Sequence, residues 1–278
     1  MIDSHTHSKY SKHAVGTIED IVVSAIDNQI QYLTITDHAP FPIDTKNRLL
    51  DTELKSYFED INNVQSKYSK DITILKGLEV DFVPEHKDYT ENLISNMELD
   101  FVIGSIHFIF LENKRVNIWD IAKIHDEKLI AQYFLYLEEL IQSNLFDTIG
   151  HPDAILRGGM DENIYCDNFY PLIELMNNTN ISYELNSSGL RKSTYDIKTN
   201  NKNKGIWNFP SKSLLSILND NNISFTIGSD AHKPNEINMG IQTILKIVKN
   251  IGIKRIAYYQ NRNIQQLDID KCITKEYK

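Results

Sequence analysis

The sequence predicts an α/β fold in which parallel strands close into a barrel. Three observations carry this. Short apolar, β-branched runs recur along the whole chain and alternate with stretches of helical period. Strands separated by helices cannot pair as hairpins, so they line up in parallel. The polar, chemistry-bearing residues fall after many different runs, as in a barrel, rather than collecting at one switch point of an open sheet.

Taken in order, the strand-like runs cover residues 1–2, 32–36, 72–75, 101–106, 147–149, 181–185, 224–227 and 255–257. Between the first two, Ile18, Ile21, Val22, Ala25 and Ile26 repeat at helical spacing, and Thr17 followed by Asp20 makes an approximate capping box. Further helices are expected over 52–69, 127–143, 169–178, 211–221 and 237–250. The β-then-α unit recurs about seven times. No repeat, low-complexity tract or Pro/Gly/Ser linker interrupts the 278 residues, so one domain over 1–278 is expected.

The chain is 41% apolar and 24% charged, enough to build a core and too evenly mixed for disorder. No window approaches the roughly 18 apolar residues of a membrane span, and the first residues lack the basic and apolar regions of a signal peptide. A cytoplasmic protein without a membrane partner is therefore expected. Cys166 and Cys272 make no CxxC and read as free thiols. The net charge is −9, with the basic residues scattered. Extended nucleic acid is thus not an expected partner, because neutralising phosphates needs a basic face. A small anionic substrate stays compatible if metal ions or a few arginines reverse the sign locally.

Seven of the nine histidines sit after an apolar run or in the loop that follows it. His5 and His7 follow the first run as His-Thr-His, with His13 beyond them; His38, His107, His151 and His232 follow later runs. Glu79 follows the third, in Leu-Lys-Gly-Leu-Glu-Val-Asp, and Asp230 stands in Gly-Ser-Asp-Ala-His. Parallel neighbouring strands would bring these side chains to one rim. Alternate residues of an extended strand point the same way, so His5 and His7 can grip one ion from one side. Imidazoles suit zinc-, iron- and manganese-class ions, and a carboxylate can bridge two of them. His86 and His125 lie in polar stretches and read as surface residues.

With these motifs together, the sequence resembles the PHP (polymerase and histidinol phosphatase) superfamily of metal-dependent phosphoesterases, from Asp3 to about Asn250. Gly-Leu-Glu-Val-Asp-Phe (77–82), Ile-Gly-Ser-Ile-His-Phe-Ile (103–109), Gly-His-Pro-Asp (150–153) and Glu-Leu-Asn-Ser-Ser-Gly-Leu-Arg-Lys (184–192) resemble the monofunctional histidinol-phosphate phosphatases. The resemblance implies a distorted (β/α)7 TIM-like barrel with a three-metal centre. His5, His7, Glu79 and Asp230 would hold the first ion. Glu79 would bridge to a second, held also by His107 and His151, and His13, His38 and His232 would hold the third. Arg157 and Arg191 match phosphate-gripping arginines, with the closer local match at Arg191. The implied reaction is hydrolysis of L-histidinol phosphate in histidine biosynthesis, by attack of metal-activated hydroxide between the first two ions. The metals remain open among Zn, Mn, Fe and Co.

Asp37 and Asp153 stand beside proposed ligands and are candidates for orienting imidazoles from behind. Ser105, Ser187 and Ser188 are expected in capping or turn roles, since no paired base is recognisable near them. Phe41, Phe108 and Trp207 are candidates to flank an imidazole ring, and residues 198–205 read as a polar loop outside the site. The proton for the leaving group is open between metal-bound water, Asp153 and a nearby histidine. Two rivals stay open: a PHP-type phosphoesterase or nuclease acting on nucleotides, and a metal-binding protein without turnover.

Overall fold

A computed structural model describes residues 1–124, 126–196, 201–204 and 212–273. Seven strands form one sheet in chain order: β1 (Ile2–Asp3), β2 (Tyr32–Ile35), β3 (Thr73–Asp81), β4 (Phe101–Ser105), β5 (Thr148–Ile149), β6 (Ser182–Asn186) and β7 (Phe225–Gly228). Every neighbouring pair is parallel. The last strand returns to the first. Ser4 N donates to Ile227 O (2.9 Å), Asp230 N to His5 O (2.7 Å) and His7 N to Ala231 O (2.9 Å), which closes the barrel just past β1 and β7.

The strands are short because few residues need to cross the barrel, and they are apolar because both faces are covered. β4 and β6 are buried throughout. Helices wrap the outside: α1 (Ile18–Asp27), α2 (Leu54–Lys67), α3 (Lys87–Ser95), α4 (Glu127–Ser143), α5 (Leu172–Thr179), α6 (Lys212–Asp220) and α7 (Ile241–Ile251). The capping box at α1 is present: Thr17 Oγ1 accepts from Asp20 N (3.1 Å) while Thr17 N donates to Asp20 Oδ2 (2.8 Å). α7 buries Ile241, Ile244, Leu245 and Val248 on one stripe, each worth about 1.5–3 kcal/mol on burial.

Some elements differ from expectation. β3 runs to Asp81, so Glu79 lies within the strand, opposite Ile103, rather than after it. Residues 255–257 do not join the barrel. They belong to an antiparallel hairpin, Arg255–Gln260 with Asn263–Asp268, that covers the N-terminal ends of the strands, where Tyr259 Oη donates to Asp147 O (2.9 Å). A second hairpin, Phe108–Leu111 with Lys114–Asn117, stands at the opposite mouth. The helical stretch expected over 169–178 is two helices, Glu162–Phe169 and α5, parted at Pro171. Cys166 and Cys272 are buried and form no disulfide.

Candidate metal centre

At the C-terminal end of the strands the chain carries polar side chains inward. After β1, Thr6 is turned outward: its N donates to Thr36 Oγ1 (3.0 Å) and its Oγ1 to Thr34 O (2.8 Å). His5 and His7 therefore face inward together, fully buried, with their Nε2 atoms 3.1 Å apart. Glu79 enters from β3, with Oε2 3.2 Å from His5 Nε2, 3.4 Å from His7 Nε2 and 2.9 Å from His38 Nδ1. Its other oxygen, Oε1, faces His151 Nε2 at 2.9 Å and His107 Nε2 at 3.5 Å. Asp230 Oδ1 is 3.3 Å from His7 Nε2. His232 Nε2 and His13 Nε2 are 2.8 Å apart.

These spacings are what ligand atoms adopt around a common ion. Donors about 2.0–2.2 Å from a zinc-class ion lie roughly 3–3.5 Å from one another. Among the described residues, His5/His7/Asp230, His38/Glu79/His107 and His7/His38/His232 each bring all their donor atoms within 4.8 Å of one another. His38 belongs both with His232 and with Glu79 and His107. It stacks on His7 (4.5 Å) and on His13 (5.3 Å) while also touching Glu79, so it stands where the sets meet instead of belonging to the outer trio alone. Two carriers of the site, His151 (φ 29°) and Asp230 (φ 50°), hold unusual positive backbone angles, the strain often stored at functional positions.

The donors are fixed from behind, as metal ligands require. His5 Nδ1 meets Glu184 Oε1 at 2.6 Å, His107 Nδ1 meets Asp81 Oδ1 at 2.7 Å, and His13 Nδ1 meets Ser11 O at 2.7 Å. Asp37 does not touch an imidazole directly. It binds the Ser8 and Ser11 hydroxyls (2.8 and 2.7 Å), and Ser11 Oγ lies 3.1 Å from His7 Nδ1. Asp153 lies against the Tyr183 hydroxyl. Ser105 and Ser188 are not mere caps: their hydroxyls donate to Glu79 Oε1 (2.7 Å) and Asp230 Oδ2 (2.8 Å). Ser187 donates to Met239 O (2.7 Å).

Burial opposes charge on Glu79, but the surrounding His38, His5 and His107 hold its carboxyl well below the usual range. Asp230 is likewise held well below despite burial, by Lys192 first and then by His7, His5 and His232. Burial, joined by His232 and His38, pushes His7 well below its ordinary value, and burial brings His38 to about 4. On His5, burial is outweighed by Glu184 and Glu79, which raise it well above. Two ionised carboxylates among imidazoles, with His7 and His38 disfavoured as cations, form a donor set ready for cations.

Above these donors opens a cavity of about 700 Å³. Arg157 and Arg191 both line it, as do Arg48, Arg115 and Lys192. Arg191 is anchored on the β7 loop, where Nη2 donates to Ser229 O (2.9 Å) and Nη1 to Met239 O (3.1 Å). Arg157 lies over the Trp119 ring (5.4 Å), and burial lowers its pKa. Phe108 lines the cavity, whereas Phe41 is buried in the core and His86 is half-buried edge-on against it. His125 and Trp207 lie outside the described residues, as do 198–200 and 205 of the expected loop, while 201–204 form a strand paired antiparallel with 193–196.

Sequence reasoning missed Glu184, Asp81, Arg48 and Lys192. Glu184 was visible as a lone acid inside an apolar run, and Asp81 as the residue two along from Glu79 had the strand been extended. Lys192 ends the quoted segment 184–192 but was given no role, and Arg48 carried no local signal.

The PHP domain family model matches residues 3–188. A protein of Deinococcus radiodurans named "Probable histidinol-phosphatase" is 26% identical over 278 residues, covering 95% of this chain and 98% of its own. The histidinol-phosphatase of Lactococcus lactis is 23% identical, covering 95% of this chain and 96% of its own. Among solved structures, histidinol phosphate phosphatase from L. lactis complexed with zinc, L-histidinol and phosphate superposes with a TM-score of 0.78 at 19% identity, covering 95% of this chain and 98% of that one.

Proposed function

The chain belongs to the PHP domain family, and on that premise we propose that it hydrolyses L-histidinol phosphate to L-histidinol and phosphate in histidine biosynthesis. The observation that carries this reading is the carboxylate of Glu79, whose two oxygens face separate sets of imidazoles on the floor of a cavity walled by arginines and a lysine. A small anion fits the wall, and cations fit the floor. The relatives named for this activity match nearly end to end.

The residues divide the work. His5, His7, Glu79 and Asp230 would hold one ion; Glu79, His107 and His151 would hold a second; His13, His38 and His232 would hold a third, with His38 near both of the other sets. Zn, Mn, Fe or Co suits this donor set. Bound ions supply the chemistry of lowering the pKa of water towards neutrality and of neutralising phosphoryl charge. Arg191 and Arg157 present planar forks to the phosphoryl oxygens and hold phosphorus in line with the floor. Lys192 and Ser188 hold Asp230 Oδ2 (2.9 and 2.8 Å), which keeps Oδ1 turned inward. Ser105 Oγ donates to Glu79 Oε1 (2.7 Å) and so helps to orient that carboxylate. The whole of 1–278 works as one barrel domain in the cytoplasm on a small phosphorylated substrate.

The test is elemental analysis of purified protein together with phosphate release from histidinol phosphate, nucleoside monophosphates and simple monoesters. Two or more transition ions per chain and a preference for histidinol phosphate are expected, with His7→Ala losing both an ion and activity. Preference for nucleotides would favour the nucleotide-directed rival, and bound metal with no hydrolysis a binding protein. Wild-type turnover in His7→Ala would sink the site itself.

A further inference from the structure

One buried cation of the cavity wall is paired with a carboxylate behind the floor and makes no direct contact with the metal-holding atoms. Arg48 lies on the loop after β2 and is 5% exposed. Its Nη2 pairs with Asp81 Oδ2 at 2.6 Å, and Asp81 Oδ1 meets His107 Nδ1 at 2.7 Å. Asp81 is two residues from Glu79 on β3, so both carboxylates point to the same side of the strand. With Arg48 on one oxygen, Asp81 holds the other as an acceptor against the ring of His107. The imidazole hydrogen of His107 therefore sits on Nδ1, and the Nε2 lone pair is left facing Glu79 Oε1, 3.5 Å away. Arg48 is itself clamped, to Ala39 O (3.4 Å) and Asp44 Oδ2 (3.6 Å), and Asp44 is held by Arg115 (2.9 Å) on the mouth hairpin. Charges of alternating sign thus run from the mouth to His107.

We infer that Arg48 is a positioning residue of the metal centre: through Asp81 it fixes the tautomer and ring direction of His107, and so sets the affinity of the ion shared by Glu79, His107 and His151. The inference rests on reading the floor as a metal centre and adds a residue outside every ligand set. An ion pair that only held the loop would influence all sites alike through stability. A pair that acts through His107 affects one.

The experiment compares wild type, Arg48→Met, Arg48→Lys and His107→Ala, each loaded with zinc, by ion stoichiometry, by chelator-competition affinity for each ion and by the visible spectrum after cobalt substitution. Arg48→Met should weaken one ion about ten- to a hundred-fold, the range for losing a group that orients a ligand, and should alter its cobalt bands. The other ions should bind as in wild type. Arg48→Lys should recover part of the loss, and Arg48→Met should add nothing in a His107→Ala background. Unchanged affinities in Arg48→Met, or all ions weakened equally, would overturn the inference. If Arg48→Met does not fold, the pair Arg48→Met with Asp81→Asn removes both buried charges together. Selective weakening is again expected there, and wild-type affinity refutes. Failure of the underlying reading shows separately, as wild type that binds no ion lost in His107→Ala, and none of these readouts depends on the substrate.

Discussion

Replacing Gly228 by alanine adds one methyl group at the seam where the barrel closes. A Cβ there would stand 2.3 Å from His5 Cβ, 2.9 Å from His5 N and 3.1 Å from Glu184 Oε1. Non-bonded carbons are comfortable at about 3.5–4.0 Å, so β1 and β7 must part by more than about 1 Å. The seam is held there by the bonds Ser4 N to Ile227 O and Asp230 N to His5 O, so the displacement passes directly to His5 and Asp230. Overpacking of this kind costs about 1–3 kcal/mol, offset by about 0.4–1 kcal/mol from the less flexible unfolded chain. The net loss, about 1–2 kcal/mol, lowers Tm by only several degrees and leaves the protein folded at 25 °C. Misplacing a catalytic group by about 1 Å, however, costs on the order of 100-fold in rate. Phosphate release from histidinol phosphate should therefore fall about 100-fold in kcat/KM, with weakened binding of the ion near His5, while circular dichroism is unchanged. Wild-type kcat/KM and metal content in Gly228→Ala would refute the claim that this seam places the ligands.

Two further outcomes follow from particular contacts. A purely phosphate-gripping Arg191 would act mainly on KM, but Arg191 also clamps Ser229 O (2.9 Å) and lies near Asp230 O (3.4 Å); steady-state kinetics of Arg191→Ala should show kcat falling with KM rising, and an unchanged kcat would limit Arg191 to substrate binding. Burial holds His38 at about 4, below its ordinary 6.5. The unfolded chain then binds the extra proton, so the stability His38 contributes is present above pH 6.5 and lost as pH falls from about 6.5 to about 4. Melting of the metal-free protein should decline more steeply across that window than melting of metal-free His38→Asn, and equal slopes would discount the shift.

The site was legible in sequence wherever a residue's type and its place after a strand were enough. His5 and His7 declared themselves by alternate spacing, and His38, His107, His151 and His232 by following apolar runs, so their convergence needed only the assumption of parallel strands. The end of β3 was not legible, because Glu-Val-Asp reads as polar when burial and pairing are unknown. Once Glu79 is seen opposite Ile103, Asp81 falls on the same side and becomes the partner of His107. Ser105 and Ser188 looked like turn residues, since nothing local shows that the carboxylates of Glu79 and Asp230 lie within reach.

The order of residues alone thus determined the kind of chemistry: imidazoles and acids at successive strand ends, a chain that alternates strand with helix, and arginines beside them. Only the closed barrel decided which donor atoms come together, that His38 stands between the groups, and that Arg48, Asp81, Glu184 and Lys192 contact the rest. The reason is physical. Ligand identity is a property of one residue and its near neighbours. A hydrogen bond such as that from His5 to Glu184, 179 positions apart, exists only through the register and closure of strands that meet after the whole chain has folded.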